Sequence, residues 1–171
     1  SYMLHRLLTS SLAALTMVPI LASAEEAHVH GEAVLEIVID DAGALISFEA
    51  PAIDIVGFEY LPKTDAEQAA IDEKLALLAQ IETVVTLPAN AVCTVDHSHV
   101  DFEAEEHDGE VEHIAFHAEF EVECSNAAGL TSLTTSVFDH FPALEEMEVE
   151  VVSPSGQKGA SMEPDRTTLE L

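Results

Sequence analysis

The chain has 171 residues, and its 33 aspartates and glutamates face only 5 lysines and arginines, for a formal charge of −28. That balance repels nucleic acid and anionic membrane, whose binders present basic patches, and it attracts cations. Solubility in a salty milieu accounts for part of the excess acid.

Taken in chain order, the first segment has the layout of a secretory signal peptide. His5 and Arg6 form a short basic start, and Leu7 to Ile20 is an apolar run too short to span a bilayer comfortably. Leu21-Ala22-Ser23-Ala24 then supplies an A-x-A cleavage site, followed by Glu25-Glu26. Residues 1–24 are therefore set aside as a signal peptide, and residues 25–171 are expected to form one domain, long enough to bury a core without metal or disulfides. No later stretch has the length of a membrane-spanning helix, so the exported form is expected to be soluble and not inserted in a membrane.

Within that domain, Ala33 to Ile39 is rich in Val and Ile and reads as a strand. Asp40-Asp41-Ala42-Gly43 supplies a turn, and Ala44 to Ala50 a second strand. A loop is expected from Pro51 to Pro62. Asp65 to Gln80 then carries Ala70, Ile71, Leu75, Leu78 and Ala79 at three- and four-residue spacing, the one clear helix. Thr64 followed by Glu67 fits a capping box at its start.

After the helix the period returns to two. Strands are expected over Glu82–Leu87, Cys93–Ala104, Val111–Cys124, Leu130–Phe138 and Glu148–Ser153, with a turn at Ser155-Gly156 into a final pair ending at Leu171. Val111–Cys124 alternates most clearly. Ile114, Phe116, Ala118, Phe120, Val122 and Cys124 share one face, while His113, His117, Glu119, Glu121 and Glu123 share the other. The expected fold class is α+β: a single antiparallel β-rich domain with one main helix at about 65–80.

Cys93 and Cys124 are an even pair in a chain expected to be exported, which reads first as a disulfide. Closing a loop of about 30 residues is worth roughly 3–4 kcal/mol in the chain-entropy model. A thiolate metal site is the competing reading.

Seven of the nine histidines fall in two short regions. His28 and His30 stand at the start of the exported form. His97, His99, His107, His113 and His117 follow later, interleaved with Asp96, Asp101, Glu103, Glu105, Glu106, Asp108, Glu110 and Glu112. In an extended strand, residues two apart point to one face, so each His-x-His can aim two imidazoles at one ion. Imidazole with carboxylate suits Zn²⁺, whereas carboxylate alone suits Ca²⁺ or Mg²⁺. All seven histidines are candidate zinc ligands, with the neighbouring acids as further ligands or as acceptors for the distal ring N–H. His140, between Asp139 and Phe141, reads as structural.

Several stretches, in order, resemble the ZrgA-like zinc-regulated periplasmic zinc-binding proteins of Gram-negative bacteria. They are Ala27-His28-Val29-His30-Gly31-Glu32-Ala33, then Pro51-Ala52-Ile53-Asp54-Ile55-Val56-Gly57-Phe58-Glu59, then Cys93 and Cys124 around a His-rich segment. Phe138 to Glu146 and Ser153-Pro154-Ser155-Gly156-Gln157 complete the series. The resemblance implies a periplasmic protein that aids zinc uptake, binding the ion and passing it to, or buffering it for, an ABC-type importer. The family's His-rich insert is often longer than the one here, which favours one or two defined sites over bulk storage.

Other functions fit the residues less well. The chain lacks the His-Glu-x-x-His and Gly-x-Ser-x-Gly signatures of a zinc protease or a serine hydrolase, so no enzyme is expected. A copper or nickel module, or an acidic structural domain that needs no metal, are the remaining alternatives. Clustered thioethers for Cu(I) are missing beyond residue 24, where only Met147 and Met162 remain.

Overall fold

The computed structural model of the chain describes residues 29–107 and 110–171. The segment read as a signal peptide, and His28, lie outside the described residues.

Among the described residues eight strands and four α-helices follow in order, with 3-10 turns at Ala89–Ala91 and Ala127–Gly129. Strand β1 (Glu32–Ile39) and β2 (Gly43–Pro51) form the expected hairpin. Asp40 turns it, its carboxylate accepting from the N–H groups of Ala42 at 2.7 Å and Gly43 at 3.0 Å. Helices α1 (Ala52–Val56), α2 (Asp65–Leu78) and α3 (Ile81–Val84) come next, and then the long hairpin of β3 (Cys93–His107) and β4 (Glu110–Cys124). Short β5 (Ser132–Thr134), α4 (Val137–His140), β6 (Glu146–Ser153), β7 (Gly156–Met162) and β8 (Thr168–Glu170) complete the chain. Six strands make one sheet in the order β3-β4-β2-β1-β6-β7, and β5 pairs with β8 in a small second sheet.

The expected α+β class is corrected by this architecture. Strand makes up 49 % and helix 24 %, so the fold is mostly β, and α2 is accompanied by short helical turns rather than standing alone. Nor is the sheet wholly antiparallel, because β1 and β6 pair in parallel from Glu32↔Glu146 to Val38↔Val152. Each local difference has a physical source. The expected Pro51–Pro62 loop opens with α1, entered at Pro51 and closed by Gly57 at φ 85°, a left-handed cap that glycine adopts without strain. The first half of the expected strand at Glu82–Leu87 belongs to helix α3, and of the rest Thr86 alone bridges to Thr134. Leu130–Phe138 divides into β5 and α4, since the Thr135 hydroxyl donates to Val84 O at 2.7 Å and accepts from Val137 N–H at 3.2 Å. The last two strands do not pair with each other: β7 pairs with β6, and β8 with β5.

Helix α2 starts as its sequence predicts. Glu67 N–H donates to Thr64 Oγ1 at 3.2 Å, and Thr64 N–H donates back to Glu67 Oε2 at 2.9 Å. The Tyr60 hydroxyl also donates to Glu67 at 2.7 Å. That bond, followed by the Lys63 backbone N–H, holds the Glu67 carboxyl below its ordinary range, and the same bond pushes the Tyr60 phenol up.

One face of the six-stranded sheet carries the core. Leu35 and Ile37, Ile46 and Phe48, Phe116 and Phe120, and Met147 and Val149 are buried there. They pack in one apolar cluster with Ile71 and Leu78 of α2, Leu133 of β5 and Phe141. Each such side chain contributes about 1.5–3 kcal/mol by burial. The opposite face is exposed or half-buried along much of its length and carries most of the charged side chains of the sheet.

Candidate metal-binding face

Strand alternation places the central histidines on the open face. Across β3 and β4, His97 stands opposite Glu121, His99 opposite Glu119, Asp101 opposite His117, and Glu105 opposite His113. Strand β2 extends the rows, with Glu49 opposite His117 and Ser47 opposite Glu119. A register shift between Val95 and His97 absorbs Asp96. The hairpin is tied at its base by the disulfide Cys93–Cys124, whose residues are also register partners. Among the described residues no cysteine is free, which removes the thiolate reading of this pair.

His117 sits at the centre of the face, 29 % exposed. Its Nδ1 lies 3.3 Å from Glu49 Oε2 on β2, and its Nε2 lies 3.7 Å from Glu103 Oε2 on β3. A neutral imidazole has one N–H, so one of its two nitrogens presents a lone pair to a carboxylate. Two acceptors facing each other repel unless a proton or a cation stands between them. The 3.7 Å gap is too long for a hydrogen bond and is comparable to the spacing of two ligands that each lie about 2.0–2.2 Å from one tetrahedral ion. Nearby, His99 Nε2 lies 3.3 Å from Asp101 Oδ2, and the other Asp101 oxygen is buried without a hydrogen-bond partner. The donor chemistry of this face, imidazole nitrogen with carboxylate oxygen, fits Zn²⁺. Among the described residues, however, no group of three or more His, Cys, Asp or Glu is already gathered closely enough to hold an ion.

The other expected ligands are distributed as follows. His97 and His99 share the open face, as their spacing predicts, and both are exposed. His113 also lies on it, partly buried. His107 ends β3 opposite Glu110, and its side chain lies outside the description. His30 is apart from this group, with Nε2 3.2 Å from Glu59 Oε2 in the loop after α1. His140 closes α4 beside Phe141, away from the face. Sequence reasoning singled out Asp101 and Glu103 among the nearby acids but missed Glu49 and Glu59. Nothing local marks either, because both reach their histidine only through tertiary pairing.

These features define a mostly-β protein that displays histidine–carboxylate pairs on an open sheet face. The family model for the ZrgA family of zinc uptake proteins matches residues 27–171, and the chain belongs to that family. Among curated proteins none matches the chain. The family is one of zinc uptake proteins rather than of enzymes. Among the described residues no helix is long and apolar enough to cross a membrane.

Proposed function

We propose that residues 25–171 act as one zinc-binding domain in the periplasm, exported by the signal peptide at 1–24. The domain captures Zn²⁺ without catalysis and supplies it to, or buffers it for, an ABC-type importer. The observation that carries this reading is His117, whose two ring nitrogens each face a carboxylate across neighbouring strands. Glu103 is its partner in holding the ion at Nε2, while Glu49 accepts from Nδ1 and orients the ring. Asp101 lies directly across from His117 and His99 one row on, with His97, His107 and His113 extending the donor set along the hairpin. His28 and His30 are the N-terminal donors. The strong negative charge draws cations toward this face from a distance.

Elemental analysis after native purification, combined with calorimetric zinc titration of wild type and His117→Ala, tests the reading. Zinc as the bound metal, and a loss of affinity of about tenfold or more in the variant, is the expected result. Unchanged zinc affinity in His117→Ala would remove His117 from the site, and a different resident metal would overturn zinc as cargo.

A further inference from the structure

Asp54 is one of only three buried polar residues among those described, at 8 % exposure, and it sits on the five-residue helix α1. A buried carboxylate costs several kcal/mol unless hydrogen-bonded, so its retention there needs a structural reason. Its Oδ2 accepts the Gly31 N–H at 2.8 Å. The Gly31 carbonyl in turn accepts two N–H groups, from Glu145 at 2.7 Å and Glu146 at 3.0 Å. Gly31 is at φ 86°, a conformation that side-chain-bearing residues rarely adopt. Every backbone polar group of Gly31 is thus engaged, and the chain is gripped at the residue after His30.

The same short segment that carries Asp54 also carries Glu59, five residues on. Glu59 is set between Phe58 and Tyr60, whose rings stack at 4.9 Å, and Lys63 Nζ lies 4.4 Å from the Tyr60 ring. The Tyr60 hydroxyl is anchored on Glu67 at the start of α2. The residues next to each half of the His30–Glu59 pair, Gly31 on one side and Phe58 and Tyr60 on the other, are therefore held by contacts that do not involve the pair itself. A surface ion pair of no consequence needs no such bracing, since exposed pairs are worth only about 0–1 kcal/mol.

The pair is also distinct from the open-face group. His117 is level with Glu49 and, through it, with Val34. His30 lies four residues before Val34 and two strands across, on the order of 15 Å from His117. No single ion with ligands at about 2 Å serves both.

Resting on the zinc reading above, we infer that His30 and Glu59 form a second, independent zinc-recruiting site, with Asp54 as its positioning residue through Gly31. The ligand is a bare divalent cation of the zinc type, taken at the end of the molecule where the chain enters the fold.

Zinc titration of the ¹⁵N-labelled whole chain, followed through the ring nitrogens of His30 and His117, tests this. Both rings are expected to respond, with separate midpoints. Glu59→Gln, a surface change with little risk to folding, is expected to weaken the His30 event by about tenfold or more. It should leave the His117 midpoint within about twofold, as for distant sites. Asp54→Asn is expected to weaken the His30 event roughly tenfold and spare His117. A His30 ring indifferent to zinc while His117 responds, or a His30 midpoint unmoved by Glu59→Gln, overturns the second site and leaves the open-face reading standing. An Asp54→Asn variant that weakens both events alike, or that does not fold, overturns the positioning role alone. If neither ring responds, the zinc reading itself falls.

Discussion

The two faces of β4 are built from alternate residues of one strand and do opposite work. Ile114, Phe116, Ala118, Phe120 and Val122 point into the core and are buried. His117, Glu119, Glu121 and Glu123 point the other way, the three glutamates exposed and His117 partly so. The inner face contributes most of the folding free energy through apolar burial. The outer face stabilises little and in places destabilises. Glu36 on β1 is directly opposite Glu150 on β6, both exposed, and directly opposed like charges disfavour the pairing. Apolar burial and the polar histidine and glutamate side chains are thus separated by a period of two along the chain, so each can be altered without the other.

The largest expected effect is on the inner face. Phe116→Ala should cost about 3–5 kcal/mol in denaturant unfolding. If it left stability intact but abolished zinc binding, the division between faces would be wrong. Next comes the tie at the hairpin base: replacing both Cys93 and Cys124 by Ser should cost about 2–5 kcal/mol by the same measurement, since the bond constrains the unfolded chain.

On the outer face the expected order inverts. His117→Ala should change unfolding free energy by no more than about 0.5 kcal/mol, while zinc affinity falls by about tenfold or more. Zinc affinity of the wild type should also fall as pH drops through the imidazole range near 6.5, because only the neutral ring ligates. Calorimetry at pH 7.5 and pH 5.5 checks this, and equal affinities would argue against imidazole ligands. Glu150→Gln should raise stability by roughly 0.2–1 kcal/mol by relieving its repulsion with Glu36, an effect that added salt should shrink.

The smallest expected effect lies off the sheet. The Glu67 carboxyl is held low in the folded state, first by the Tyr60 hydroxyl and then by the Lys63 N–H. A lowered folded pKa stabilises above the unfolded value and is lost as pH falls through the folded one. Tyr60→Phe should therefore raise the Glu67 titration midpoint seen by NMR and weaken this acid-range contribution. An unmoved midpoint would assign the shift to the Lys63 and Thr64 donors alone.

How much of this was legible in advance depended on distance along the chain. Helix α2 with its Thr64–Glu67 box, the β1–β2 hairpin and the two faces of β4 rest on neighbours a few residues apart, and local pattern found them. Helices α1 and α3 were missed because short apolar runs carry no period long enough to tell helix from strand or loop. The class was misjudged for the same reason, and the parallel β1–β6 pairing joins segments separated by nearly the whole domain. Glu49 and Glu59 gave no local signal, being isolated acids in a chain rich in acid.

By itself, then, the sequence determined the cation-attracting charge, the helix start and the side-chain parity of the central strands, because each depends on composition or on a spacing of two to four residues. Tertiary structure alone decided that β2 lies beside β4, which brings Glu49 to His117. It also decided that α1 folds back on the start of β1, which brings Asp54 to Gly31 and Glu59 to His30. The reason is that strand order and chain entry are set by how the apolar faces close on one core, and that closure is a property of the whole chain.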